Sequence, residues 1–315
     1  MRFSVTVNRQ QANPVITLKD SLTNCKAEIY AFGGFLNAFY IPLKEKGMVF
    51  NCIEGFSSVA DARKNIVNSF RSAKLSPFVC KLRNGTYQLD GMKYKMHKHF
   101  AGEHALHGLL FDAQFKVFDQ SASNESAELL LQFTYNKTDQ GYPFAFDMTL
   151  HWKLEPGNKI SVTTTVQHSN NRLIPYTDGW HPYFTLGGKV DDYTLQFNTD
   201  SKLVFDEDLV PTGEKITDGR FLNATSLKKI FLDNSFLLPD SVAAKIMLEN
   251  KKMRLAIEPD NHYHIIQIYT PPTRNSIAIE NLTGAPDNFN NGIGLLMLEP
   301  HKPYSFTTSY SLLVK

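Results

Sequence analysis

Apolar and polar positions alternate with a period of two along most of this chain, in short runs rich in Val, Ile, Thr, Phe and Tyr. Residues 86–89, 144–154, 159–168, 192–197 and 263–269 carry the pattern most clearly, and each predicts a half-buried β-strand. Residues 1–8 alternate in the same way. Turn signals separate the runs: Asn84 with Gly85, Asp90 with Gly91, Gly187 with Gly188, and Pro211 followed by Thr212 and Gly213. Glu155, Pro156, Gly157 and Asn158 lie between two of the strongest runs and predict an antiparallel hairpin with a four-residue connection.

Helical periodicity is scarce. Residues 57–65 predict one short helix, residues 100–106 a loop with a turn, and the Ser-rich residues 121–126 an exposed loop joining strands at 115–118 and 127–133. Strands follow one another without a regular alternation with helices, which predicts an all-β sandwich and not a parallel α/β domain. No repeat of fixed period and no compositional break divides the chain, so a single domain over residues 1–315 is expected. Its 42% apolar and 12% aromatic content suffices for a large core.

Charge narrows the partners. The 33 Lys and Arg nearly balance 31 Asp and Glu, leaving no electrostatic reason to expect nucleic acid or an anionic membrane. Cys25, Cys52 and Cys80 are widely spaced and odd in number, which fits reduced structural thiols. The first residues lack the apolar core of a secretory signal, and no run approaches the roughly 18 apolar residues of a membrane span. A cytoplasmic monomer or homodimer is expected.

Two ionisable groups stand out. His181 lies between Trp180 and Pro182, with Tyr183 and Phe184 following, so its imidazole is restricted by proline and flanked by an apolar wall. A histidine near its ordinary pKa exchanges a proton at neutral pH. Glu280 closes the alternating run 276–280 before a segment bearing Gly284 and Pro286. In a cavity, desolvation would raise its pKa and strengthen it as a base. The ordinary alternatives are a satisfied histidine beneath a strand end and a surface glutamate.

Three further residues extend the set. His107 precedes Gly108 and suits a hydrogen-bonding role in a polar pocket; His104 and His107 do not form a recognised zinc motif, so no metal is expected. Asp233, with Leu232 and Phe236 nearby, could point its carboxylate at a pair of hydroxyls. Asp178 precedes Gly179 and reads first as a turn residue. Imidazoles and carboxylates bind ring hydroxyls, while Trp180, Tyr183 or Phe184 could cover an apolar sugar face.

The ordered motifs around Pro77 and Phe78, residues 84–91, Leu106 to Gly108, His181 to Phe184, Leu232 with Asp233 and Phe236, and residues 279–287 together resemble the aldose 1-epimerase, or galactose mutarotase, family. The resemblance runs from about residue 25 to the end of the chain. It implies a large antiparallel β-sandwich, the galactose mutarotase-like supersandwich, with a sugar cleft on one sheet and no cofactor. It implies Glu280 as catalytic base, His181 as catalytic acid, and His107 and Asp233 as sugar-binding residues. Trp180 and Phe289 are expected as pocket walls. The family's usual Asn and Arg after the Pro-Phe segment are Cys80 and Lys81 here, and a lysine lacks the planar fork of an arginine.

The implied substrate is a monosaccharide whose α and β anomers are exchanged. Glu280 would take the O1 proton while His181, initially protonated, donates to the ring oxygen from the opposite side of the sugar; rotation about C1–C2 and reclosure would give the other anomer. Two other readings remain open: a non-catalytic carbohydrate-binding module, motivated by Lys81, and an epimerase of a phosphorylated hexose, which needs Lys81, Arg254 and Arg274 to converge.

Overall fold

A computed structural model describes residues 1–8, 13–45, 47–239 and 244–315. The alternation becomes three larger antiparallel sheets and several short ribbons. Phe3–Asn8, Val15–Asp20, Lys26–Tyr30, Leu36–Pro42 and Val49–Asn51 make a five-stranded meander. A nine-stranded sheet runs in the spatial order Lys116–Ala122, Ala127–Tyr135, Phe146–Glu155, Lys159–Gln167, Tyr304–Val314, Met253–Pro259, Ile246–Glu249, Thr194–Gln196 and Thr225–Ser226.

The sheet that matters for chemistry runs Pro211–Thr217, Ser201–Phe205, Asp233–Leu237, Ile265–Tyr269, Ile277–Leu282, Gly179–His181 and Ala73–Leu75, with Tyr183–Phe184 also paired to Ile277–Leu282. It packs face to face on the nine-stranded sheet. Trp180 meets Trp152 at 5.5 Å between ring centroids, Phe184 meets Tyr310 at 5.3 Å, and Asn281 Nδ2 donates to Thr308 Oγ1 at 2.8 Å. This is the aligned-layer solution for two sheets that each bury an apolar face. The all-β sandwich expected from the alternation is therefore the observed fold class.

Boundaries move where local signals compete. The hairpin has three connecting residues, not four, because Glu155 pairs with Lys159 and Gly157 and Asn158 take positive φ between them. The 192–197 run yields only Thr194–Gln196, its start being taken by a 3₁₀ turn at Val190–Asp192. Residues 100–106 form a small hairpin, Phe100–Ala101 with His104–Leu106. The strand expected at 115–118 extends from Lys116 to Ala122, into the segment expected as loop.

The short helix spans Val59–Ser69, four residues beyond the expected end. Ser58 caps it by accepting the Asp61 amide at 3.1 Å, and Val59, Ala62 and Ile66 form its buried stripe at helical spacing. Phe70 ends it in the left-handed region, at φ 51°. No described helix is long and apolar enough to cross a membrane.

Candidate active site

Strand alternation places His181, Asp233 and Glu280 on the face of the eight-stranded sheet that points away from the sandwich. On Gly179–His181, Trp180 points into the core and His181 points out. On Ile277–Leu282, Asn281 reaches the nine-stranded sheet, and Glu280 therefore lies on the other face. Glu280 sits inside this strand and not at its end. The register then sets Gln267 opposite Glu280, Ser235 opposite Gln267, and Asp233 opposite Tyr269. A row of polar side chains thus crosses four strands.

Loops cover this row to make a cavity of about 340 Å³, at the small end of the usual range for ligand sites. His107, His181, Asp233, Glu280 and Lys81 all line it, so the five polar residues singled out in the sequence share one space. Phe70, Tyr183, Phe205 and Tyr269 supply its aromatic surface. A wider cleft of about 800 Å³ near Phe50 and Lys251 carries lysines but no imidazole.

His181 Nε2 stands 3.4 Å from Glu280 Oε1, and both side chains are almost wholly buried. The two groups are neighbours, not partners across a ring. The His107 ring meets the His181 ring edge-on at 5.0 Å, and Tyr183 stacks on the other side of His181 at 5.0 Å. Glu280 Oε2, His181 Nδ1 and His107 Nδ1 are buried and make no hydrogen bond to another described residue. Such atoms carry a desolvation cost that a polyhydroxylated ligand can offset.

Burial dominates the electrostatics. It pushes the Glu280 carboxyl well above its ordinary range, with Asp233 adding to the rise, and pushes His181 down to about 4. His107 is held well below its usual value by burial, then by His181 and His99. Both shifts run toward the uncharged forms, a carboxylic acid beside a neutral imidazole, because burial strips each ion of its hydration. Burial also raises Asp233, opposed by Lys81 and by Gln267 Nε2, which donates to Asp233 Oδ1 at 2.7 Å.

Trp180 and Phe289 are not cavity walls. Trp180 faces the sandwich core against Trp152, with Lys74 Nζ 4.4 Å from its ring centre. Phe289 follows a left-handed Asp287 into a short helix and packs among Phe78, Tyr87 and Tyr142. His104 also leaves the site, accepting the Asn84 amide at 3.1 Å through Nδ1. Asp178 is no ordinary turn residue, being buried against Lys74 at 2.6 Å. Gln267 also lines the cavity, and a glutamine flanked by isoleucines in an alternating strand is a readable signal of a buried polar role.

His107 reaches the cavity because its backbone doubles back. Its own φ is 59° and that of Gly108 is 76°. A Cβ on Gly108 would lie 2.3 Å from the Ser76 carbonyl oxygen, so only glycine fits. Gly108→Ala is expected to destabilise the protein by about 3 kcal/mol, measured by urea unfolding; unchanged stability would contradict this packing.

Solved structures share this architecture. A galactose mutarotase-like protein from Clostridium acetobutylicum superposes with a TM-score of 0.86 at 17% identity, over 100% of this chain and 99% of that one. The galactose 1-epimerase of Lactobacillus acidophilus NCFM gives 0.77 at 18% identity, over 100% and 99%. These likenesses define the fold as the galactose mutarotase-like β-sandwich. The chain belongs to the aldose 1-epimerase family, whose pattern it matches over residues 14–311. It is 27% identical to the protein YihR of Escherichia coli (strain K12) over 238 residues, 73% of this chain and 75% of that protein. It is 25% identical to the aldose 1-epimerase of Streptococcus thermophilus over 214 residues, 65% of this chain and 60% of the relative.

Proposed function

We propose that this protein interconverts the α and β anomers of a neutral aldose by acid–base ring opening and reclosure, with the whole chain folding as one unit around the cavity. The observation that carries the reading is the 3.4 Å approach of His181 Nε2 to Glu280 Oε1 on the floor of a sugar-sized cavity. O1 and the ring oxygen share the anomeric carbon, so a base for one and an acid for the other must be neighbours.

The pair holds one proton. On Glu280 it gives the neutral state that burial favours; moved to His181 it gives carboxylate and imidazolium. A bound sugar supports the second state, because O1–H donates to the carboxylate and the imidazolium donates to the ring oxygen. Glu280 then takes the O1 proton as His181 releases its own, C1–O5 breaks, and the pair is neutral again beside an open-chain aldehyde. Burial disfavours both ions and so assists the opening step. Rotation about C1–C2 followed by the reverse transfers gives the other anomer. Each transfer contributes about 10²–10⁴-fold. His107 and Asp233 orient hydroxyls, while Phe70 and Tyr269 cover the apolar ring face.

A phosphorylated substrate has less support. Arg254 pairs with Glu249, and Arg274 with Asp191 and the Leu227 and Ile230 carbonyls; neither lines the cavity. Lys81 is the cavity's one cationic lining residue among those described, and Asp233 lies close enough to feel its charge.

The test is to add pure α-glucose, α-galactose and a hexose 6-phosphate and follow anomer ratios by proton NMR. Faster relaxation to the same equilibrium supports the reading; saturable binding without acceleration would instead mark a carbohydrate-binding module. His181→Asn is expected to lower kcat about 100-fold. The kcat/KM profile should fall on the acid side near pH about 4, where the pair gains a second proton, and on the alkaline side at the raised Glu280 value, where it loses its last. An acid limb at the ordinary histidine value would show that burial does not hold His181 down in the free enzyme, and a parental kcat in His181→Asn would place it outside the exchange.

A further inference from the structure

Lys81 is already engaged. Its Nζ donates to the Asp208 carbonyl at 2.5 Å, on a turn at residues 206–210 between the strands Ser201–Phe205 and Pro211–Thr217. Leu209 of this turn and Phe205 at the end of the strand before it line the cavity. A register shift between Leu203 and Phe205 re-aims the strand as it reaches the site. Leu209 holds φ 58°, a left-handed conformation that a leucine adopts only when its surroundings impose it.

The imposing contacts can be named. Within the turn, the Asp206 carboxylate accepts the Asp208 amide at 3.0 Å and the Val210 amide at 3.1 Å, and the Leu209 amide donates to the Asp206 carbonyl at 3.1 Å. From outside, Arg83 grips both acids, with Nη1 2.9 Å from Asp208 Oδ2 and Nη2 on Asp206 Oδ2. His104 Nε2 adds a contact to Asp208 Oδ1 at 3.4 Å. The anchor of Arg83 is fixed in turn: its amide donates to Asp287 Oδ1 at 2.8 Å, and the Asp287 amide donates to the Lys81 carbonyl at 2.7 Å.

We propose that Arg83, which does not line the cavity, is a positioning residue for sugar binding: it latches the 206–210 turn across the cavity mouth, so that Phe205 and Leu209 form the wall over the sugar. The proposal rests on the anomer-exchange reading above for its kinetic consequences. The wall touches cyclic and open forms alike, so its loss weakens binding without altering proton transfer. It also gives the lysine at position 81 a role: its single ammonium holds one carbonyl of the turn.

Arg83→Met is the test, since the side chain is about a third exposed and its removal leaves the core intact. KM for α-galactose or α-glucose, whichever the parent converts faster, is expected to rise about 10-fold with kcat within about two-fold of the parent. Exchange of the Leu209 and Val210 amides, read by hydrogen–deuterium NMR, should quicken at least about 10-fold. Leu209→Ala should raise KM to a similar degree, and the double variant no further, because both changes remove one wall. Arg83→Lys should restore part of the KM. A fall in kcat at unchanged KM, or additive effects in the double variant, would overturn the latch. If the parent accelerates no sugar, the anomer-exchange reading fails by itself, and the amide exchange then decides the latch: unchanged rates in Arg83→Met overturn it.

Discussion

Replacing Glu280 by glutamine is expected to lower the rate of anomer exchange about 10³-fold while making the folded protein more stable at neutral pH. The carboxamide fills the same space but cannot accept the O1 proton. The stability gain follows from the direction of the carboxyl shift. In the unfolded chain Glu280 ionises near its ordinary 4.5, whereas in the native cavity burial and Asp233 keep it protonated to a much higher pH. Below pH 4.5 the two states bind this proton alike, so the stability tied to it is fully present. As pH rises from there through the folded value, the unfolded state gains by ionising first and the native state loses stability.

Glutamine removes that loss. Melting curves of parent and variant should therefore nearly coincide at pH 4 and diverge as pH increases to 7, the variant melting higher. His181 works in the opposite sense: its folded value of about 4 lies below its ordinary 6.5, so its contribution is present above 6.5 and is lost as pH falls through about 4. A parent protein whose melting temperature is no lower than that of Glu280→Gln at pH 7 would show that Glu280 is ionised and compensated in the empty site.

The second large effect lies behind the sheet. Lys74 Nζ is 2.6 Å from Asp178 Oδ1, and neither side chain has any exposure. The network is well satisfied: Tyr176 and Tyr263 donate to the two carboxylate oxygens at 2.9 and 3.0 Å, and Lys74 also donates to the Gly179 carbonyl at 3.2 Å. Burial still draws Lys74 down to about 8 and raises Asp178.

Lys74→Met would leave the carboxylate buried with two phenols and no cation, at a cost of about 3–5 kcal/mol. In a chain of this size that lowers the melting temperature on the order of 10 °C. Combining it with Asp178→Asn should cost less than the sum of the two single changes, because the second removes the charge that the first strands. Strict additivity in urea unfolding would mean that the two residues do not act as a pair. The strand Gly179–His181 rests on this pair, so looser attachment there should also lower turnover.

Much of the site was legible before the fold, because a period of two fixes which residues share a face. Glu280 and Gln267 fall on one face of adjacent strands once their register is known, and His181 is displayed by the same rule. That rule could not say which face was which. Both faces of the eight-stranded sheet are covered, so aromatic character did not distinguish Trp180, in the core, from Tyr183, on the cavity. Phe289 escapes the pattern for a related reason: a segment rich in Asn and Gly resembles an open loop, yet here it coils into a helix beneath an aromatic cluster. The Arg83 latch was invisible because its acids lie more than a hundred residues away, and only the approach of two loops creates it.

Trp152 and Trp180 are the only tryptophans of the chain, and they meet edge-on between the two large sheets, one residue away from the proposed acid. Tryptophan emission, excited at the red edge of the absorption band where the 13 tyrosines absorb little, therefore originates from a single dry spot outside the cavity. The signal is a built-in gauge of whether the layers remain together, and a variant with silent chemistry and parental emission has lost its reaction without losing its architecture.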